Sequence, residues 1–357
     1  MIISKEVKMQ RKKRVLVIFT GGTIVSGFQG KGKVTGPNSK MFKSLASYVG
    51  KFFQDKKVEI IFQEPLGIPG EDSSNLGPEH WIKITSIIVE ELQKGLDGVL
   101  ILYGTDTMAY LSSWLSICFP QVSIPIIITG SQLTLDYMPE DVTVNLRGAA
   151  QVVCSDFPGV WIYCNWKLIP GARAHKAHAL HPDIFITTNG LPVYFNPDWA
   201  LKSKMRNFSL KIEYVPSNWI NKLLNYNSPK ARDIYEKVGW FMCLPGAEQK
   251  LSKDKKIVCI YGFGAGNAPT SVLNYFRSFY LEKEKPCIIA CSQAEGDIKK
   301  PNYYKKVGIA WLAQDGFKVW SQMDYPIEFI HALACFSLLA SFNDPGLILS
   351  KYLEGPF

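Results

Sequence analysis

Two short stretches carry residue types that can do covalent chemistry. One is Tyr103-Gly104-Thr105-Asp106-Thr107-Met108, where a glycine is followed by a hydroxyl, a carboxylate and a second hydroxyl. The other is Thr20-Gly21-Gly22-Thr23-Ile24. Each follows an apolar run, so each places hydroxyls where a buried strand ends. Threonine is a weak nucleophile because its hydroxyl ionises far above neutral pH. It needs a base, or a lysine with a carboxylate, to manage the proton. Thr23, Thr105, Asp106 and Lys176 supply those groups if the fold gathers them.

The elements that must gather them are legible as alternating apolar and amphipathic segments. Val15-Leu16-Val17-Ile18-Phe19, Val58-Glu59-Ile60-Ile61-Phe62, the run 98–102, the run 124–129 and Val160-Trp161-Ile162-Tyr163-Cys164 read as strands. Between them, Pro78 opens a helix carrying Trp81, Ile84, Ile87, Ile88 and Leu92 on one side. Further helices are expected over 108–119 and 141–153. Strand and helix in strict alternation predict a parallel sheet covered on both faces. Polar groups at the strand ends would then face the crevice where such sheets bind ligands.

From about 208 to 235 the chain is polar and irregular, with Pro216, Asn218, Asn225, Asn227 and Pro229. We read it as a linker between an N-terminal domain, 1–207, and a smaller C-terminal α/β domain, 236–357. The second domain begins with a short strand at 239–242 and continues through strands at 257–261 and 286–290. Asp324 is expected to cap a last long apolar helix over 327–341.

Composition excludes several classes. At 357 residues the chain is long for one core and suits two domains. No apolar run reaches the roughly 18 residues of a membrane span. The N-terminus lacks a signal-peptide core before Arg11-Lys12-Lys13-Arg14, so a cytoplasmic protein is expected. The formal charge of +9 comes from lysines spread along the chain, which argues against a nucleic-acid partner. Eight cysteines without a Cys-x-x-Cys pair read as buried, reduced thiols.

Three motif matches fail on chemistry. Gly27 to Lys33 imitates a phosphate loop, but Val34 stands at the magnesium-binding hydroxyl and Gly36-Pro37 blocks the helix. The glycines of Gly262-Phe263-Gly264-Ala265-Gly266 imitate a dinucleotide fingerprint with the third glycine misplaced, and a tight turn explains them better. His175, His178, His181 and Asp183 have no standard metal-ligand spacing and read as hydrogen-bonded loop residues. No metal and no cofactor is called for.

These stretches together resemble the bacterial-type L-asparaginases, and their cytoplasmic type I branch most closely, over nearly the whole chain. Thr20 to Ile24 is similar to the family's first signature, and Tyr103 to Met108 to its second, H-G-T-D-T-M. Arg173-Ala174-His175-Lys176-Ala177-His178-Ala179 resembles the segment bearing the type I catalytic lysine, and 261–269 resembles the opening of the C-terminal domain. The resemblance implies that Thr23 attacks a side-chain amide carbon, releasing ammonia and leaving a β-aspartyl ester. Thr105, Lys176 and Asp106 would handle protons and position the hydrolytic water. Backbone N–H groups near Thr105 would stabilise the oxyanion. Asp72, Ser73 and Ser74 would hold the substrate's α-carboxylate and α-amine, with Asn267 contributed across a subunit contact.

It further implies a homodimer or homotetramer acting on an amino-acid amide. Two other readings stay open: the archaeal-type subunit that deamidates glutamine for tRNA transamidation, and a catalytically silent relative that only binds. Three departures separate this chain from the pattern. Tyr103 replaces the signature histidine, Val25 replaces a small residue, and the lid offers Phe28 and Lys33 where many members carry a tyrosine.

Overall fold

Isoleucine, valine and leucine dominate the runs that pair into the larger sheet, and their alternate side chains feed two separate cores. The computed structural model describes residues 11–26, 40–54, 57–67, 70–134, 140–194, 217–226, 228–247, 250–251, 255–281, 284–295, 298, 300–301 and 304–357. In chain order the first half comprises β1 (Lys13–Phe19), α1 (Thr23–Ser26), α2 (Lys40–Gly50), β2 (Val58–Gln63), α3 (Pro78–Gln93), β3 (Gly98–Leu102), α4 (Met108–Cys118), β4 (Pro125–Thr129), α5 (Val142–Val153) and β5 (Gly159–Cys164). Four short strands follow: β6 (Lys167–Pro170), β7 (Ala174–Lys176), β8 (Phe185–Thr187) and β9 (Val193–Tyr194).

The larger sheet has seven strands in the order β2-β1-β3-β4-β5-β6-β9. It is parallel from β2 to β5 and antiparallel across β5–β6 and β6–β9. Val15, Val17 and Phe19 point to the face covered by α2 and α5, while Leu16 and Ile18 point to the face covered by α3 and α4. Because the chain leaves β1 for β2 on one side and returns to β3 on the other, a crevice opens at the carboxyl ends of β1 and β3. That is the switch point where open α/β sheets bind ligands.

The second half contains α6 (Ser217–Leu224), α7 (Ser228–Tyr235), β10 (Val238–Met242), β11 (Ile257–Gly262), α8 (Thr270–Phe279), β12 (Cys287–Ser292), β13 (Lys318–Ser321), α9 (Ile327–Ala340) and α10 (Gly346–Tyr352). Its four strands form a second parallel sheet in the order β10-β11-β12-β13. One face packs on α8. The other shares a core with the N-terminal half through α9, whose residues are apolar on almost every side.

Two readings need correction. The segment read as irregular builds α6 and α7, whose Leu223 and Ala231 are buried in the shared core. Their apolar residues recur at helical spacing, and Pro229 sits in the first turn of α7, where a missing N–H costs nothing. Asp324 does not cap α9: Pro326 occupies that position, and Asp324 is paired with Arg173 instead. The glycine-rich segment 262–269 forms a tight turn closed by backbone pairing of Phe263 with Asn267. The lid residues Phe28 and Lys33 and the 27–33 stretch lie outside the described residues.

No helix among the described residues is long and apolar enough to cross a membrane. All eight cysteines are unpaired by disulfides.

Helices α4 and α9 meet through Trp114 and Phe336, both fully buried with ring centroids 5.7 Å apart. Phe336→Ala should therefore cost about 3–5 kcal/mol in denaturant unfolding, the range for emptying a buried aromatic site. A loss below about 1 kcal/mol would show that the two halves do not depend on this contact.

Candidate active site

Three loops converge at the switch point, and they touch backbone to backbone. The Thr20 N–H and hydroxyl both donate to the Leu102 carbonyl, at 3.1 and 2.8 Å, tying the end of β1 to the end of β3. The Glu71 N–H donates to the Thr20 carbonyl at 2.9 Å, which brings in the loop before α3. Glycine is required at the contacts. A Cβ on Gly22 would lie 2.6 Å from the Gly104 Cα, and Gly22 also has φ +83°. Gly104 in turn lies against Ser73, where a Cβ would meet the hydroxyl oxygen at 2.5 Å. Thr23 and Thr105 thus each follow one glycine of a touching pair.

Lys176 reaches the Thr105–Asp106 loop from a separate hairpin. It ends β7, which pairs with β8 in a two-stranded hairpin, Lys176 opposite Phe185. Its ammonium donates to Thr105 Oγ1 at 3.0 Å and pairs with Asp106 Oδ1 at 2.5 Å. Thr105 is 8% exposed, the Lys176 side chain 17% and the Asp106 side chain 61%. The hydroxyl and the amine are therefore largely withdrawn from water, while the carboxylate is exposed to it.

Asp72 and the two serines form the third loop. Asp72 starts a single 3-10 turn over Ser73–Asn75, and its carboxylate accepts the Ser74 N–H at 2.8 Å. The Ser74 hydrogen bonds hold its carboxyl below the usual range, so it stays anionic. Asn267 lies on the turn that follows β11 in the smaller sheet, where its backbone pairs with Phe263 and Gly308.

The other histidines of the hairpin are occupied structurally. Among the described residues no group of three or more His, Cys, Asp or Glu side chains is placed to hold a metal ion. His181 Nδ1 accepts the Asp183 N–H at 3.0 Å, its ring lies 5.3 Å from that of His178, and Asp183 pairs with Lys167.

Several contributors were missed in the sequence. Side chains alternate along a strand, so His175 faces away from Lys176. It meets Glu328, in the first turn of α9, at 2.8 Å. Arg173 pairs with Asp324 at 2.8 Å and lies over the Tyr325 ring at 4.7 Å. The C-terminal half thereby grips the hairpin that carries the lysine. The available signal was Glu328 itself, the sole carboxylate in a largely apolar helix. Tyr103 is fully buried, and its phenol accepts from Trp81 Nε1 at 3.2 Å.

Comparison with known proteins follows the same lines. The family described as Asparaginase, N-terminal matches residues 14–200, just over half of the chain. L-asparaginase 1 of Escherichia coli K12 is 34% identical over 185 residues, 51% of this chain and 53% of that protein. A glutamyl-tRNA(Gln) amidotransferase subunit of Methanococcus vannielii is 27% identical over 252 residues, 65% of this chain and 55% of that protein. The chain spans about half the length of the curated relatives it matches. A probable cytoplasmic L-asparaginase from Campylobacter jejuni shares the fold, with a TM-score of 0.70 over 96% of this chain and 99% of that chain at 19% identity.

The His175–Glu328 contact makes stability pH-dependent in a defined direction. The hydrogen bond to Glu328 raises the imidazole above its ordinary value of about 6.5, against the opposing effect of burial and with help from the charges of Glu328 and Glu295. The stabilisation is complete below that ordinary value and is lost as pH rises through the raised one. The melting-temperature difference between the wild-type chain and His175→Gln should shrink across that interval and be constant below it. A difference independent of pH would remove the ion pair from the account.

Proposed function

The chain belongs to the asparaginase family, and from that premise we propose that it is an amidohydrolase that converts L-asparagine to L-aspartate and ammonia through an ester on Thr23. The observation that carries the reading is the Lys176 amine held 3.0 Å from Thr105 Oγ1 with Asp106 on its other side. An amine so placed can exchange a proton with the hydroxyl, and the exposed carboxylate of Asp106 keeps it in position.

The Thr23 hydroxyl oxygen attacks the side-chain amide carbon. The amide nitrogen leaves as ammonia, taking the hydroxyl proton, and an ester bond joins Thr23 to the aspartyl group. A water oriented by Thr105, its proton passed through Lys176, then cleaves the ester to aspartate and restores the Thr23 hydroxyl. Asp72, Ser73 and Ser74 hold the α-carboxylate and α-amine, and Asp106 faces the amine. Asn267, distant in topology, is supplied by a partner copy in a homodimer or homotetramer. No metal or organic cofactor enters this chemistry, and the reading places the protein in the cytosol.

A second reading is favoured by one comparison. The match to the tRNA amidotransferase subunit runs over a longer stretch of this chain than the match to L-asparaginase 1. On that reading glutamine is the amide, and a further protein of the same assembly receives the ammonia.

Ammonia release from L-asparagine and from L-glutamine decides between them. The proposal expects turnover of asparagine, none with Thr23→Ala, and a fall in kcat of about 10²–10⁴-fold with Lys176→Met, the range for loss of a general acid–base group. Release from glutamine alone would favour the second reading. A folded chain that binds L-aspartate but releases nothing from either amide would be a binding relative.

A further inference from the structure

A chain of neutral hydrogen bonds ends on the loop assigned to substrate. Trp81 Nε1 can only donate, and it donates to the Tyr103 phenol oxygen at 3.2 Å. The Tyr103 hydroxyl lies 3.2 Å from Thr107 Oγ1, which itself donates to the Ser73 carbonyl at 2.7 Å. A carbonyl only accepts, so the Thr107 proton points at Ser73 and the Tyr103 proton must point at Thr107. Every proton in the chain has one direction, Trp81 to Tyr103 to Thr107 to Ser73. Aligned bonds of this kind polarise one another where water is scarce, as it is around the buried Trp81 and Tyr103.

Thr107 stands at the N-cap of α4, where a threonine hydroxyl ordinarily accepts an N–H of its own helix. Here it makes no such bond, and its hydroxyl is directed to another loop. The Ser73 carbonyl that receives it also accepts the Leu76 N–H at 3.0 Å, so both its lone pairs are used. The N–H at the other end of that peptide, on Ser74, is held by the Asp72 carboxylate. The Ser73–Ser74 peptide plane is pinned at both ends. The directions of the Asp72, Ser73 and Ser74 side chains depend on that plane.

We propose that Thr107, with its proton directed by Tyr103, is a positioning residue that holds the Ser73–Ser74 peptide in the orientation that binds the amino-acid end of the substrate. This rests on the asparaginase reading for the identity of the substrate, while the positioning itself can be read by binding alone. Thr107 touches neither the attacked carbon nor the water, so its loss weakens binding and spares the chemical step.

The test is Thr107→Val, which keeps the shape and removes the hydroxyl, beside Thr107→Ser, which restores it. Trp81→Phe breaks the chain at its far end and serves as the structural control. Thr107→Val should raise KM for L-asparagine and the calorimetric Kd for L-aspartate about three- to tenfold, with kcat within about twofold, as loss of one neutral hydrogen bond predicts. Thr107→Ser should stay within about twofold of wild type. Trp81→Phe leaves the Tyr103–Thr107 and Thr107–Ser73 bonds in place, so it should lower the melting temperature and raise KM less than Thr107→Val does. If the valine variant does not fold, Thr107→Ala reads the same quantities.

Unchanged KM and Kd in Thr107→Val, a loss confined to kcat, or a serine variant as impaired as the valine would each overturn the proposal. A wild-type chain that binds L-aspartate without releasing ammonia would end the asparaginase reading, and the Kd comparison would still decide this one. A wild-type chain that binds neither molecule overturns both.

Discussion

The site depends on backbone approaching backbone without side chains between. Gly21 faces the Glu71 carbonyl, where a Cβ would sit 2.3 Å away, and Gly70 faces the Thr20 carbonyl at 2.2 Å by the same construction. With Gly22 against Gly104 and Gly104 against Ser73, four glycines remove the bulk that would hold three loops apart. Three of them also have positive φ, at +127°, +83° and +83° for Gly21, Gly22 and Gly70, which L side chains rarely adopt. The loops carrying Thr23, Ser73 and Thr105 can meet because of these glycines, and the crevice between β1 and β3 is where they do.

Close approach places the hydroxyls but supplies no amine. Lys176 arrives on a separate hairpin whose own paired strands are only three residues long. Such a hairpin does not hold a side chain to a fraction of an ångström by itself. The C-terminal half supplies the rigidity, through Arg173 with Asp324 and Tyr325, and His175 with Glu328. The residues on either side of β7's Ala174 are thus anchored to the start of α9, and the alternation of the strand sends Lys176 the other way, toward Thr105. The second domain thus holds the hairpin of the first through contacts on the face away from Lys176.

Sequence made the larger part of this legible where one physical rule acted alone. The central strands are buried on both faces, so they read as unbroken apolar runs. The loops at their ends read as glycine and threonine clusters because only those residues satisfy close approach and polarity together. Lys176 was legible through resemblance, since nothing in its spacing shows that it meets Thr105. The rest depended on pairs distant in the chain. Asp324 sits where a helix cap is expected, and only the fold reveals that Arg173, far upstream, claims it. In α6 and α7 prolines and asparagines masked an apolar pattern that the shared core uses. The larger sheet's β6 and β9 and the β7–β8 hairpin are too short for periodicity to register.

The two polar devices around the site differ in what they ask of pH. The His175–Glu328 contact is ionic, half-exposed on the histidine side, and it changes as the imidazole titrates. The Trp81–Tyr103–Thr107 chain runs from two buried rings to a partly buried threonine and is made of groups that stay neutral. Burial raises the Tyr103 phenol to about 12, well above any working pH, so its proton does not leave. A buried imidazole is pushed the other way: His331, enclosed in α9, falls to about 4. A histidine at position 103 would be held neutral by burial and would have to select a tautomer before donating to Thr107. Tyrosine has one proton and, with Trp81 occupying its oxygen as donor, one place to send it. The tyrosine that stands where the resembled signature has histidine thus trades a titratable group for one whose direction is set by its neighbours.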